Sequence, residues 1–254
     1  MAFEKSVADV AFLRGDYEIA ARMYLDGAKE GDEIAAFDYG YCLLHGYGVN
    51  CDPAEAKSFF SYARDMAGGE SCYNLAMLYL EGRGVPKDYR TGIAYMSDAA
   101  DLGCVEAMLY LGMAYTVGYV YYPEITSISM IPFHKPEYRD TSRYVSGEVG
   151  DFNEDDERRA TLIGVDGVRA FDYFKSAASA DPTYVKELVS RGKYLYAMCY
   201  LEGFGTDFNR ASGLQLMLSA SKSGSSDAEI YLVEHGITEK MITGDKNDRK
   251  RLTR

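Results

Sequence analysis

The chain has 254 residues, of which 47% are hydrophobic and 26% charged, a composition that supports a folded core and excludes a disordered or fibrous protein. Its formal charge of −12 disfavours nucleic acid and anionic membranes as partners, because both are normally bound by clusters of Lys and Arg. The N-terminus carries charges where a secretory signal peptide is apolar, and no run approaches the roughly 18 apolar residues of a membrane span.

A repeat organises the chain. Residues 39–52, 75–88 and 196–209 read YGYCLLHGYGVNCD, LAMLYLEGRGVPKD and YAMCYLEGFGTDFN. Gly46, Gly82 and Gly118 are 36 residues apart, and the next equivalent glycine, Gly203, follows after 85 residues, which is one period plus an insertion of 49. Self-similarity with this period is typical of stacked helical units.

The repeats predict one domain, 1–242, followed by a disordered basic tail, 243–254, with pairing of the tail to an acidic surface as the alternative. Its predicted parts, in chain order, are a half repeat 1–32, repeats 33–69, 70–104, 105–180 with an insertion at 119–165, and 186–225, and a C-terminal helix 226–236.

Apolar and small residues recur three and four positions apart in each unit, as in Ala36, Tyr39, Gly40 and Leu43, which predicts a first helix. The second half of each unit predicts a partner helix. Small residues that would let the helix axes approach closely are Gly40, Ala76, Gly112 and Ala197. Glycines predicted to close the second helices in the left-handed conformation are Gly31, Gly69, Gly103 and Gly224.

The paired glycines between the helices are interpreted as turn residues. A dinucleotide fingerprint needs a third glycine after a strand, but Cys51, Lys87 and Phe208 stand at that position and the preceding segment is helical. The repeat explains these glycines without a ligand, so we expect no cofactor.

These residues resemble the Sel-1-like repeat family, a relative of the tetratricopeptide repeats. The clearest unit is carried by Leu75-Ala76, Tyr79, Gly82, Gly84-Val85, Asp88, Ala99-Ala100 and Gly103. The resemblance covers about 1–118 and 166–234, and it implies an all-α fold, an α/α superhelical solenoid of helix-turn-helix repeats. It also implies an adaptor that assembles other proteins, and it names no reaction.

The five cysteines are odd in number and never spaced as CxxC, which favours a reducing, cytoplasmic compartment. Some cysteine-rich secreted members of the family join each unit to the next with a disulfide. Cys72 and Cys104 occupy one of the two positions, but Arg64 and Ala100 stand at the other.

The insertion 119–165 holds prolines 123, 132 and 136, which exclude a long helix through its first half, and residues 125–131 could form a short strand or a hairpin. We expect an ordered, packed loop, with a mobile lid or an unstructured segment as alternatives. The acidic run 151–157 lacks the glycine and glutamate of a calcium loop, so no metal is expected.

Catalytic signatures are weak. Ser219 and Lys222 spell SxxK without the accompanying elements of a penicillin-binding site, and the three histidines form no metal motif. The chain is therefore predicted not to be an enzyme. The alternative is a hydrolase-type enzyme with its site between the insertion 119–165 and the groove, where tyrosines, His134 and carboxylates are concentrated.

First helices of stacked pairs line a concave face, so the sequence predicts that a protein or peptide partner binds in this groove. Tyr and Met provide adaptable contacts there, and the amide of Asn74 can hold a peptide backbone. The predicted groove residues are Asp38, Tyr41, His45, Asn74, Met77, Glu81, Tyr110, Met113, Val117, Leu195, Met198 and Glu202.

Overall fold

The structure, a computed structural model, describes residues 5–65, 67–121, 160–183 and 185–244. The chain divides into two compact units, Met1–Ala107 and Met108–Arg254. Within the described ranges, helices alternate with short turns, and no helix is long and apolar enough to cross a membrane.

Unit 1 consists of helix pairs joined by short turns. The helices are α1 Lys5–Arg14, α2 Tyr17–Lys29, α3 Glu33–His45, α4 Pro53–Tyr62, α5 Gly68–Glu81 and α6 Tyr89–Asp101, with a 3-10 turn at Ala63–Asp65. The core is made of side chains that face between the helices, including the fully buried Phe60 and Leu75. Burial of one Phe or Leu stabilises the fold by about 1.5–3 kcal/mol relative to exposure.

Helix α7, Val105–Val117, begins at the end of unit 1, and the remaining elements belong to unit 2. They are β1 Tyr119–Tyr121, β2 Ala160–Leu162, α8 Gly167–Ser179, α9 Lys186–Glu202, α10 Arg210–Lys222, α11 Ser226–Glu234 and α12 Glu239–Thr243. The strands pair antiparallel with Val120 opposite Thr161 and lie near the two ends of the insertion 119–165. The strand predicted at 125–131, the acidic run 151–157 and most of the predicted tail, 245–254, lie outside the described residues.

The second helices α4, α6, α8 and α10 begin in the same way. Their capping residues are Asp52, Asp88, Asp166 and Asn209, and in each case the side chain accepts a hydrogen bond from the backbone N–H three residues later. This bond satisfies one of the donors that a helix start leaves without an intrahelical partner. Repetition of the capping residue thus fixes where each second helix starts.

Replacement of this cap tests its role. Asp52 Oδ1 accepts from Glu55 N at 2.9 Å. We expect Asp52→Ala to lower the free energy of unfolding by about 1 kcal/mol, whereas Asp52→Ser, which keeps an acceptor, should cost much less. Urea unfolding followed by circular dichroism measures both changes. Equal losses in the two variants would contradict the capping role.

The two glycines of the turn after a first helix have different structural roles. Gly46 adopts φ +74° and ends α3, where its N–H and that of Tyr47 both donate to Cys42 O. Gly48 adopts φ +70° and lies directly against the start of α2, where an added Cβ would be 2.2 Å from the carbonyl carbon and oxygen of Tyr17. The second glycine therefore allows one repeat to lie backbone to backbone on the preceding one.

Small residues also set the spacing within a helix pair, as predicted. A Cβ on Gly40 would be 3.0 Å from the Phe60 ring, and one on Gly112 would be 2.5 Å from the Phe174 ring. The prediction for Gly69 was wrong, because this glycine lies inside the first turn of α5 and not in a left-handed cap. Its Cβ would be 3.0 Å from Cys104 Cβ, so its small size serves packing.

Candidate functional site

Helices α3 and α5, the first helices of the two complete repeats in unit 1, each present one row of accessible side chains. On α3 the row contains Asp38, Tyr41 and His45, and on α5 it contains Asn74, Met77 and Glu81; we call these six residues the first-helix stripe. Tyr41 and His45 are exposed and the other four are half-buried. Other faces of both helices pack in the core, where Tyr39, Leu43 and Leu75 are buried.

Aromatic rings cluster at the C-terminal end of the α3 row. The centroids of Tyr41 and His45 are 4.4 Å apart, and the His45 ring stacks on Tyr47 at 5.6 Å. Tyr47 continues the contact to Tyr17 and Phe12, at centroid distances of 4.9 and 5.5 Å. Contacts between the rings restrict the rotamers that Tyr41 and His45 can adopt, which lowers the entropy that a partner must remove on binding.

The two rows adjoin at His45. Arg83, in the turn after α5, donates from Nη2 to Leu44 O at 2.8 Å and lies 3.4 Å from Glu81. A cation at the carbonyl end of α3 is favourable because that end carries partial negative charge. Burial, followed by the positive charge of Arg83, lowers the pKa of His45, and Glu81 opposes the shift. The ring of His45 is therefore neutral at neutral pH.

This geometry predicts how His45 titrates. In the wild type its pKa lies below the usual value of about 6.5. Arg83→Met should raise it, because the variant removes a nearby cation and leaves Glu81, whereas Arg90→Met on the exposed part of α6 should not. The measurement is an NMR titration of the imidazoles, with His45→Gln for assignment. A wild-type value above the usual range would contradict this prediction.

The lowered pKa of His45 also makes the stability of the fold depend on pH. A lowered pKa means that the unfolded chain binds the proton more readily than the folded chain does. The contribution of neutral His45 is therefore present above about pH 6.5 and is lost as the pH falls towards the lower pKa of the folded state. As the pH falls through this window, the wild type should lose unfolding free energy relative to His45→Gln, which has no titrating group at this position.

The α5 row combines polar and apolar groups. Asn74 Nδ2 donates to Glu70 O at 3.0 Å, within its own helix, which occupies one of the two amide hydrogens. Met77, three residues on, is half-buried and supplies a flexible thioether. This arrangement can bind a segment through apolar contact and amide hydrogen bonds.

Titratable groups elsewhere in the described chain show no catalytic arrangement. Burial raises the pKa of the Cys104 thiol to about 12 and does the same for Cys199, so both stay protonated at neutral pH. Lys222, of the SxxK sequence, is hydrogen-bonded to Glu239 of α12. No group of three His, Cys, Asp or Glu side chains in the described ranges could hold a metal ion. Most of the insertion that the hydrolase alternative requires, 122–159, lies outside those ranges.

The family model described as Sel1 repeat matches residues 33–67, 69–104, 161–182 and 190–225, which together are just over half of the chain. The chain belongs to the Sel1 repeat family. Its fold class is accordingly an all-α solenoid of Sel1 repeats, as the sequence predicted. Sel1 repeat proteins generally mediate protein–protein interactions as non-catalytic scaffolds.

Two solved structures are similar to this chain, and the first supports the fold. A Sel1 repeat protein from Oxalobacter formigenes superimposes with a TM-score of 0.63 at 15% sequence identity, over 91% of this chain and 75% of that one. A protective antigen of uropathogenic Escherichia coli strains, which displays an SLR fold, matches with a TM-score of 0.40 at 17% identity, over 89% of this chain and 46% of that one.

The Sel1 repeats of unit 2 differ from those of unit 1 at the predicted groove positions. Tyr110, Met113, Leu195 and Met198 are 4%, 8%, 1% and 0% exposed, so these four are corrected from groove residues to core residues. Helix α9 contacts α8, α10 and α11. Val117 is half-buried and Glu202 is exposed. The binding role of these two and of the stripe stays a prediction.

Tyr47 and Arg83 were missed by the sequence analysis. Both stand between the two glycines of a Sel1 turn, and each contacts the preceding helix pair, through the aromatic rings or through Leu44 O. The signal was present, because the middle position of Gly-x-Gly recurs in three of the four repeats, as Tyr47, Arg83 and Phe204. What the sequence lacked was the information that this position faces the neighbouring repeat.

Proposed function

We propose that this protein is a cytoplasmic, non-catalytic scaffold that binds a protein or peptide segment along the first-helix stripe, in the groove that stacked helix pairs create. The observation that carries the proposal is the accessible row on each of two adjoining first helices, with Tyr41 and His45 on one and Met77 on the other. The cytoplasmic assignment is supported by the odd number and the spacing of the cysteines.

The composition of the stripe fits protein recognition. Tyrosine offers a large contact area and loses little conformational entropy on binding, and Met77 can adapt to the shape of a partner side chain. Tyr41 is 37% exposed, so part of its ring is already packed and the remainder is available to a partner. A rigid anchor of this kind typically contributes a large share of binding energy.

Truncation of the stripe tests the proposal. We expect the double variant Tyr41→Ala, Met77→Ala to lose at least about tenfold in partner affinity, equivalent to about 1.4 kcal/mol. Partners are captured from lysate of the source cell with wild type, identified by mass spectrometry, and their affinities for purified variants are then measured by calorimetry.

The matched control is Tyr62→Ala, Leu102→Ala. These side chains are 52% and 58% exposed, lie in unit 1 and stand outside the stripe. Circular dichroism confirms that both double variants are folded. Equal losses of affinity in the two variants, or no loss in either, would contradict binding at the stripe.

A further inference from the structure

The negative charge of this protein is concentrated in unit 1. Residues 1–107 contain 18 Asp and Glu against 9 Lys and Arg, a formal charge of −9 out of the −12 of the whole chain. A surface on this unit therefore attracts cations over a distance of roughly 10 Å at moderate ionic strength.

The two first helices that carry the stripe have no Lys or Arg, whereas α1 carries Lys5 and Arg14. Helix α7, most of which lies in unit 2, also contains neither. The second helices differ, since Lys57 lies on α4 and Arg90 on α6. Arg83 lies near the stripe and is bound to Leu44 O and Glu81. The surface formed by α3 and α5 is therefore negatively charged.

Carboxylates extend the surface beyond the stripe. Glu70 stands one helical turn before Asn74 and is exposed, and Glu106 stands at the equivalent position of α7, 36 residues later. Glu106 is half-buried and accepts from the Cys104 thiol at 3.4 Å. After burial and the effect of Cys104, the negative charges of Glu106 and Glu81 contribute to raising the pKa of Tyr73 to about 12. Carboxylates of α5 and α7 thus both act on Tyr73.

Apolar and aromatic groups alternate with these carboxylates. Tyr41 and Met77 supply apolar area, and a tyrosine face also attracts a Lys or Arg side chain. Such pairs already occur in unit 1, where Lys57 Nζ lies 5.3 Å from the centroid of the Tyr79 ring. The surface therefore matches a partner in which positive and apolar side chains alternate.

We propose that the segment bound by the first-helix stripe is a cationic segment of another protein, in which Lys or Arg residues alternate with apolar ones. This inference rests on the proposed function and adds the chemistry of the partner. Its lysines and arginines face Glu70, Glu81 and Glu106, and its apolar side chains contact Tyr41 and Met77.

Fluorescence anisotropy of the full chain with three labelled peptides tests the proposal. The peptides share length and apolar residues and carry Lys/Arg, Gln or Glu at the alternating positions. We expect the Lys/Arg peptide to bind at least about tenfold more tightly than the Gln peptide, with an affinity that falls as salt is added, and the Glu peptide to bind most weakly.

A matched pair of variants locates the effect. Glu70 and Glu55 are both exposed and both stand third in their helix, on α5 and α4 respectively. Glu70→Lys should weaken binding of the Lys/Arg peptide by about tenfold and Glu55→Lys by less than about twofold. Equal losses, or equal affinity for the Lys/Arg and Gln peptides, would overturn the cationic partner. If the wild type binds none of the three peptides, the proposal also fails.

Two outcomes separate this inference from its alternatives. In the first outcome, the Gln peptide binds as tightly as the Lys/Arg peptide, and Tyr41→Ala, Met77→Ala abolishes this binding. The stripe would then remain the binding site, and only the preference for a cationic segment would be overturned. The variant Arg249→Gln, Lys250→Gln, Arg251→Gln neutralises much of the C-terminal basic run. More than tenfold tighter peptide binding by this variant would assign the surface to the chain's own tail and overturn a separate partner.

Discussion

Gly48→Ala is expected to lower the free energy of unfolding by about 3 kcal/mol, against about 1 kcal/mol for Gly46→Ala. Both glycines belong to the turn between α3 and α4 and have nearly the same backbone conformation, with φ of +70° and +74°. The conformational cost of a Cβ in the left-handed region is therefore common to the two variants.

The difference between the variants comes from the space around each glycine. An added Cβ at Gly46 has Cys51 Cβ as its nearest neighbour, at the ordinary contact distance of 3.5 Å. At Gly48 the added atom would be 2.2 Å from the carbonyl group of Tyr17 and 2.4 Å from Glu18 N. These are backbone atoms in the first turn of α2, so the clash is relieved when the turn and the helix move apart.

Urea unfolding of both variants, followed by far-ultraviolet circular dichroism, measures the difference. The expected order of stability is wild type, then Gly46→Ala, then Gly48→Ala. Equal stability of the two variants would show that the second glycine of the repeat is needed for its φ angle alone. Close stacking of consecutive repeats would then have to depend on other contacts.

Phe174→Ala is expected to cost about 4 kcal/mol, because it leaves a cavity the size of an aromatic ring in unit 2. Phe174 is 0% exposed and lies on α8, and its ring fills the space left by the absent side chain of Gly112 on α7. Phe208→Ala is the matched control. This ring is 63% exposed, so its removal should change stability by about 0.5 kcal/mol or less.

A second variant separates ring packing from loss of hydrophobic burial. Gly112→Ala should be strongly destabilising alone, since its Cβ would be 2.5 Å from the Phe174 ring. In the Phe174→Ala background the same change should cost less, because the ring that it would contact is gone. Additive effects of the two substitutions in urea unfolding would contradict the direct contact.

The repeat pattern predicted the fold because the recurring residues make contacts within their own repeat. The small residues at Gly40 and Gly112 were predicted to allow close helix packing, and both lie against a phenylalanine of the second helix. The paired glycines were predicted to be turn residues, and Gly46 and Gly48 both adopt positive φ. These features are local, so sequence spacing is enough to find them.

The candidate site was predictable in part. The helical phase placed Tyr41 and His45 at the surface, yet the same phase placed Met198 there, although it is 0% exposed. Equivalent positions in different repeats are buried or accessible according to what lies over them, and that neighbour is not encoded in the repeat itself. The contact between Arg83 and Leu44 O was unpredictable for the same reason, since it joins successive units.

The central claim is that a protein partner lies along the first-helix stripe of unit 1. Its most direct test is site-specific photo-crosslinking in the source cell, with a benzophenone amino acid placed at Met77 or, as the control, at the exposed Ala94 of α6. The account predicts a discrete crosslinked partner from position 77 that is absent from position 94. Crosslinking of the same partner at position 94 and not at position 77 would contradict it.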